Sequence, residues 1–341
     1  MRACATFDSP EAKAMSTERR AVIDVGTNSV KLLVADLRDG VVEPVAEESD
    51  QTRLGAGFFG GKRLQREAIE MTAKAVGTFT ARARELGADS VRVIATSAAR
   101  DAENPGDLVE AIASASGRGV EIISGEQEAD WVFKGVTTDA ELAQRALLLL
   151  DVGGGSTEFI VGEGGRKHFA ASFQLGTVRM LEYMPPSDPP LAVELADCRD
   201  WTRHFLRTEV QERLEPALRS CAGTRGGEAG MQLVGTGGTS TILARMERQL
   251  ENFDRASIEG ARLSLAQVRA HVERLWSLPL AERKKVRGLP EKRADVILTG
   301  VVIFETVMEV FGFPDLRIST RGLRFAALTD GDAGSRRSTD A

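Results

Sequence analysis

Residues 21–34 read AVIDVGTNSVKLLV, and residues 148–161 read LLLDVGGGSTEFIV. When the two stretches are aligned on Asp24 and Asp151, both give Asp-Val-Gly-x-x-Ser between two apolar runs. Apolar runs of strand length on either side of a tight polar turn predict a β-hairpin. The repeat therefore predicts two similar halves, each opening on a hairpin whose turn carries a carboxylate, glycines and hydroxyls.

The two turns have the composition of a site for a metal ion and a phosphate group. Consecutive backbone N–H groups in a glycine-rich turn bind phosphate oxygens. An aspartate such as Asp24 repels phosphate unless a cation lies between them, which implies a bridging Mg²⁺ or Mn²⁺. The alternative, a merely flexible Gly-Gly-Gly-Ser loop, is weakened by the matching aspartate in both copies. The predicted phosphate-binding residues of the turns are Gly26, Thr27, Asn28, Ser29, Gly153, Gly154, Gly155, Ser156 and Thr157.

Composition and charge are those of an ordinary globular protein. Hydrophobic residues make up 42% and charged residues 28% of the 341 residues, and this length allows two domains of about 150 residues. The net charge of −6 argues against non-specific binding to nucleic acid, which usually needs a basic face. No apolar run approaches the roughly 18–20 residues of a membrane span. We therefore expect no nucleic-acid or membrane partner.

The cysteines and histidines do not form a recognisable site. Cys4, Cys198 and Cys221 contain no CxxC pair, and the three histidines lie far apart in the sequence. Scattered cysteines of this kind are typical of a reducing compartment, so the prediction is a cytoplasmic protein. Catalysis by histidine is not expected.

Strand signals and helical periodicity alternate along the chain, which indicates the α/β class. We predict a disordered lead-in at 1–19, with Met15 as an alternative start, a first domain at 20–140 and a second domain at 141–314. Residues 315–329 are expected to pack back on the first domain, and 330–341 to form a disordered tail. The repeated order βββαβα resembles the duplicated RNase H-like fold of actin, Hsp70 ATPase domains and sugar kinases. That resemblance implies a ligand cleft between the halves, on the two opening hairpins.

Three further residues are candidates for the chemistry. Glu158 follows Asp151 by seven residues and should face the same cleft, the alternative being a solvated strand residue. Residues 122–129 read IISGEQEA; capping of a helix explains Glu126 better than Glu128, and a desolvated glutamate near phosphate would accept a proton from water. Arg100, just after a predicted strand, is a candidate phosphate clamp or else a surface arginine.

Seven motifs in order, spread over residues 20–328, resemble the Ppx/GppA family of exopolyphosphatases and guanosine pentaphosphate phosphohydrolases. The resemblance implies an actin-like two-domain hydrolase that uses Mg²⁺. It would remove the terminal phosphate of inorganic polyphosphate, or the 5′ γ-phosphate of guanosine pentaphosphate (pppGpp). The motifs are VIDVGTNSVKLLVAD, IATSAARDAEN, EIISGEQEA, LLDVGGGSTEFIVG, SFQLGTVRMLE, LVGTGGTSTILA and RADVILTG.

The resemblance also implies roles for individual residues. Glu128 would be the base that activates water, and Asp151 and Glu158 the other catalytic carboxylates. Asp24, Asp151 and Glu158 would face the metal, and Arg100 would contact the substrate.

The chain departs from the family pattern in three places. Lys31 stands where some members carry an uncharged residue or histidine, and would add a phosphate contact. The segment STRGLRFAAL keeps Arg324 but lacks the glutamate that many members have after it. The chain stops before the C-terminal helical extension of longer members, so short polyphosphate chains are the expected substrate.

Two rival functions stay open at this stage. A kinase or ATPase of the same fold is one of them, because fold alone does not fix function; the kinase would transfer phosphate to an acceptor other than water. A non-catalytic sensor would bind polyphosphate or an alarmone and regulate a partner. The set of Asp24, Glu128, Asp151 and Glu158 argues against a pure binding protein, and a homodimer is one possible assembly.

Overall fold

The computed structural model describes residues 17–222 and 230–330. Most of the expected lead-in and tail, together with Met15 and Cys4, lies outside the described residues. The lead-in boundary at residue 19 is wrong, because the first strand already begins at Glu18. The Arg19 side chain is fixed there by an ion pair of 2.7 Å with Asp36 on the neighbouring strand.

The first half is a five-stranded mixed sheet with helices. Its strand order is β3-β2-β1-β4-β5, in which β1 to β3 are antiparallel and β4 and β5 run parallel to β1. The elements are β1 (Glu18–Val25), β2 (Val30–Arg38), β3 (Val41–Asp50), α1 (Arg66–Glu85), β4 (Ser90–Ala95), α2 (Ser97–Asp101), α3 (Pro105–Ser116), β5 (Glu121–Ile122), α4 (Gly125–Val136) and α5 (Ala140–Ala143).

The second half repeats this plan and extends it. Its elements are β6 (Leu147–Val152), β7 (Thr157–Glu163), β8 (Arg166–Phe173), α6 (Thr177–Tyr183), α7 (Ala192–Phe205), a π-helical segment (Leu206–Gln211), α8 (Glu212–Ala222), β9 (Gln232–Thr236), α9 (Gly237–Glu247), α10 (Arg255–Ile258), β10 (Arg262–Ser264), α11 (Leu265–Trp276), α12 (Leu280–Arg283), a 3₁₀ turn (Glu291–Arg293), α13 (Ile297–Phe311), β11 (Asp315–Ile318) and α14 (Leu323–Thr329). The strand order β8-β7-β6-β9-β11-β10 matches the first sheet and adds one edge strand. The predicted duplicated α/β fold is confirmed.

The expectation for residues 315–329 is half wrong. Strand β11 pairs with β9 and β10 in the second sheet, because Leu316 and Ile318 are fully buried in the core of that half. Only α14 returns to the first half, where it packs against α4 and β1.

Helices α4 and α14 form a shared layer between the two sheets. Trp131 of α4 and Phe325 of α14 belong to one buried apolar cluster with Val22 of the first sheet and Leu149 of the second. Because this cluster draws on both sheets, burial of apolar area holds the two halves together. The first turn of α4, which carries Glu128, is therefore fixed relative to both hairpins.

Among residues 17–222 and 230–330, no helix combines the length and the apolar character needed to cross a membrane. A cytoplasmic location and a homodimer stay predictions.

Replacement of Gly135 by alanine is expected to lower the melting temperature. A Cβ atom on Gly135 would lie 2.2 Å from the backbone oxygen of Gly322, so α4 and the start of α14 would have to separate. Overpacking of this kind typically costs about 1–3 kcal/mol. Gly106→Ala is the matched control, because a Cβ on this exposed helical glycine meets no atom within 4 Å. Thermal unfolding of the two variants at equal temperatures would contradict the close approach.

Candidate active site

The turns of the two opening hairpins meet in the cleft between the halves. Gly26 donates its N–H to the Ser29 oxygen at 3.1 Å, and Gly153 does the same to Ser156 at 2.9 Å. The turns touch because a glycine lies at the contact: a Cβ on Gly154 would come within 2.9 Å of the Thr27 side chain. Between the turns lies a cavity of about 80 Å³.

Four carboxylates line this cavity. Asp24 is the last residue but one of β1 and Asp151 the last but one of β6, at equivalent places in the two hairpins. Glu158 lies directly opposite Asp151 in the β6–β7 ladder. Glu128 is in the first turn of α4, where Ser124 caps the helix by accepting the Gln127 N–H. Asp24, Glu128 and Glu158 are buried and Asp151 is half-buried.

Most of the other predicted site residues also line the cavity. They are Gly26, Thr27, Asn28, Ser29, Lys31, Gly153, Gly154, Gly155 and Ser156. Thr157 is not among them, and its side chain is not available for the predicted contact with phosphate. Its side chain is fully buried and donates to the Leu175 oxygen at 2.5 Å, since alternation along β7 turns it away from Glu158.

Arg100 lies behind Glu128 rather than on the cavity wall. Its Nη1 donates to Glu128 Oε2 at 2.9 Å and to the Ile123 oxygen at 3.3 Å. The guanidinium therefore holds the carboxylate in place, and a direct contact with substrate stays a prediction.

Loss of surrounding water dominates the electrostatics of the carboxylates. Burial raises the pKa of Glu128 to about 7, against the opposing charge of Arg100. Burial raises the pKa of Asp151 to about 6, against the charge of Lys31. The pKa of Glu158 lies well above its usual value, first through burial and then through the charge of Glu128. Burial also raises the pKa of Asp24, so the whole group favours a proton or a cation.

The donor set fits a hard divalent cation. Among the described residues, Asp24 Oδ1 is buried without a hydrogen-bond partner. Glu158 Oε1 is already fixed, because it accepts from Ser156 Oγ at 3.0 Å and from Ser172 Oγ at 2.6 Å. Carboxylate oxygens are the protein ligands that Mg²⁺ and Mn²⁺ prefer, so Asp24, Asp151 and Glu158 could together hold such an ion.

Unpaired polar atoms and one cation complete the site, and two of these residues, Ser97 and Arg293, are outside the predicted set. Within the described part of the chain, the buried Ser97 Oγ and Asn28 Nδ2 have no hydrogen-bond partner, and both residues line the cavity. Arg293 Nη2 donates to Ser29 Oγ at 2.6 Å, and burial lowers the pKa of Arg293 to about 10. Arg293 opens the quoted motif RADVILTG, which was the one available signal for it. Unpaired donors and a half-buried cation suit an anionic ligand.

A second cavity, of about 370 Å³, adjoins the first beside Asp24 and Asp151. Phe253 and Phe325 lie on its wall. Its cationic lining residues are Lys31, Arg245, Lys292, Arg293 and Arg324.

The C-terminal departure from the family pattern is visible at this wall. Arg324 donates to the Leu32 oxygen at 2.9 Å and to Glu47 at 3.2 Å. Phe325, in place of the glutamate, is buried in the shared layer, and the Arg255 guanidinium lies 4.8 Å above its ring.

Replacement of Glu158 by glutamine is expected to stabilise the metal-free protein at pH 8. The raised pKa means that ionisation costs more in the folded than in the unfolded state, so this penalty is absent below about pH 4.5 and grows as pH rises above it. Glutamine can still accept from both serines. Melting temperatures should be equal near pH 4 and a few degrees higher for the variant at pH 8. The exposed Glu126→Gln variant serves as the control. If the Glu158→Gln variant and the unmodified protein differ in melting temperature by the same amount at pH 4 and at pH 8, the raised pKa of Glu158 is contradicted.

Comparisons with known proteins agree with this geometry. The model of the Ppx/GppA phosphatase family matches residues 33–330. Exopolyphosphatase 2 of Mycobacterium tuberculosis is 34% identical over 302 residues, which cover 85% of this chain and 90% of that protein.

Solved structures give the same result. The Ppx/GppA enzyme of Aquifex aeolicus is 29% identical with a TM-score of 0.71, over 92% of this chain and 99% of that one. An exopolyphosphatase from Cytophaga hutchinsonii is 26% identical with a TM-score of 0.78, over 92% and 97% of the two chains. A family model that matches most of the chain, together with these relatives, establishes that the chain belongs to the Ppx/GppA phosphatase family.

Proposed function

We propose that this protein is an exopolyphosphatase that hydrolyses the terminal phosphate of short inorganic polyphosphate chains. The observation that carries the proposal is Glu128. It lines the cavity between the two phosphate-binding turns, Arg100 orients it, and its pKa is about 7. A general base works best with a pKa near the working pH.

The terminal phosphate would lie between the two turns. Backbone N–H groups of the turns, the unpaired donors of Asn28 and Ser97, and the Arg293 guanidinium would bind its oxygens and stabilise their charge during transfer. A divalent cation held by Asp24, Asp151 and Glu158 would supply further neutralisation of phosphate charge.

Glu128 would remove a proton from the attacking water. Arg100 occupies Oε2, which leaves Oε1 to accept that proton. The water oxygen forms a bond to the terminal phosphorus, and the bond from phosphorus to the bridging oxygen breaks. The shortened chain leaves with that oxygen, and no covalent phosphoenzyme is needed.

The two rival functions make different demands on the same residues. A kinase of this fold would need an acceptor other than water next to Glu128, and transfer of labelled phosphate from ATP to a sugar or to acetate would reveal it. A non-catalytic sensor gains nothing from burial of four carboxylates with raised pKa values, because charge repulsion opposes the binding of an anion.

Hydrolysis of pppGpp is the second candidate, and the cavity of about 370 Å³ favours it. Phe253, which is exposed on its wall, offers apolar surface for a nucleobase, and the cations of this cavity offer partners for a second phosphate group. Phosphate release from short-chain polyphosphate, long-chain polyphosphate and pppGpp, measured in parallel, decides between them. We expect the highest kcat/KM with short chains, and a preference for pppGpp would transfer the assignment to the second candidate.

Glu128→Gln is expected to lower kcat by about 10²–10⁴-fold, the usual contribution of a general base. Substrate binding should change much less, because glutamine still accepts from Arg100. Phosphate release should also rise with pH through about 7 in the unmodified protein, as Glu128 loses its proton. Glu126→Gln, two residues earlier and exposed, is the matched control and should keep both rate and pH profile. Near-normal turnover in Glu128→Gln would exclude this residue as the base.

A further inference from the structure

Three side chains with metal-binding atoms meet at the far end of the strand that carries Glu158. They are Glu163 at the end of β7, His168 in β8 and Cys221 in the last turn of α8. One potential ligand atom from each lies within 4.8 Å of the other two. Five residues of strand separate Glu163 from Glu158, or about 17 Å, so the cluster is distinct from the cleft.

An irregularity in strand pairing brings His168 to this place. Val161 pairs with Phe169 and Gly162 pairs with Lys167, so His168 is the extra residue of a β-bulge. A bulge re-aims the side chain it inserts. Lys167, on one side of it, forms an ion pair with Asp130 of α4, whereas His168 reaches the atoms of Glu163 and Cys221.

The pattern of burial places the other two side chains on the α8 face of the sheet. Phe159 and Val161 belong to the same buried cluster as Leu214 and Cys221 of α8. Because side chains alternate along a strand, Glu163 points to the same face as Phe159 and Val161. The cluster thus joins the β7–β8 hairpin to the end of α8.

The three residues differ in exposure in a way that suits entry of an ion from solution. Cys221 is 4% exposed, Glu163 is intermediate and His168 is exposed. Burial, and then the charge of Glu163, raise the pKa of the Cys221 thiol. Without a cation the thiol therefore keeps its proton, and a divalent ion would favour the thiolate.

We propose that Glu163, His168 and Cys221 form a zinc site. Sulfur, imidazole nitrogen and carboxylate oxygen are the ligands that Zn²⁺ takes in proteins, and three of them leave a fourth tetrahedral position for water. Thiolate is a soft ligand that favours zinc over magnesium, in contrast to the all-oxygen carboxylates of the cleft. On binding, Cys221 releases its proton to the solvent and His168 binds as neutral imidazole. The ion ties α8 to the β7–β8 hairpin.

Titration of the purified full-length protein with Co²⁺, in saturating Mg²⁺, tests this site. Cobalt replaces zinc in such sites, and a thiolate ligand gives a charge-transfer absorption that carboxylates cannot produce. We expect one equivalent of Co²⁺ to bind with that absorption, and the absorption to disappear when Zn²⁺ is added. The melting temperature should be higher with Zn²⁺ than with Mg²⁺ alone. Absence of the thiolate absorption would overturn the proposal.

Two variants and a control locate the site. Cys221→Ser should abolish the absorption, whereas Cys198→Ser, at the other buried cysteine of the described residues, should keep it. His168→Gln replaces an exposed side chain, so the fold should be retained. The Zn²⁺ affinity of this variant should fall by more than about 10-fold. Loss of a residue that only supports a metal ligand typically lowers affinity by at least about this factor, and His168 is proposed as a ligand itself. Retained absorption in Cys221→Ser, or unchanged affinity in His168→Gln, would overturn the assignment. Phosphate release is not a readout, so either result leaves the proposed hydrolysis untouched.

Discussion

Four carboxylates with raised pKa values at one point of the cleft are the constraint around which the rest of the site is arranged. Loss of water and mutual repulsion both oppose their ionisation. The protein offsets this partly: Lys31 lies opposite Asp24, Arg100 binds Glu128, and two serines donate to Glu158. The remaining imbalance favours a divalent cation together with an anionic ligand, which is the combination that hydrolysis of a phosphoanhydride requires.

The duplication is symmetric in backbone and asymmetric in chemistry. The seventh residue after the hairpin aspartate is Lys31 in the first half and Glu158 in the second. Each of them pairs directly with that aspartate across the hairpin. One hairpin therefore contributes a cation and the other a second carboxylate. Glu128, the proposed base, lies on neither hairpin but on α4, whose opposite end packs between the two sheets. A helix as short as the 12 residues of α4 is only marginally stable by itself. The position of Glu128 therefore depends on the burial of apolar side chains of α4 between the two sheets.

Strand β7 carries residues of two proposed metal sites with different preferences. At its start, Glu158 belongs to an oxygen-only set suited to Mg²⁺, and at its end Glu163 lies beside a thiol and an imidazole. Ligand type alone separates the two metals, because hard oxygen donors favour magnesium and a thiolate favours zinc. A stabilising ion at the end of β7 would keep the strand and α8 together without entering the chemistry of the cleft.

The repeated Asp-Val-Gly-x-x-Ser pattern by itself determined both hairpins and the duplicated fold, because strand periodicity and turn composition are local properties. The same local reading favoured Glu128 over Glu126 and placed Asp24, Asp151 and Glu158 on elements that open onto one cleft. Only the tertiary structure decided that β11 joins the second sheet, that Thr157 faces the core and that Arg100 lies on Glu128. It also brought Arg293 to Ser29 across 264 residues of sequence. Such contacts depend on how the two halves pack, which no local pattern of residues encodes.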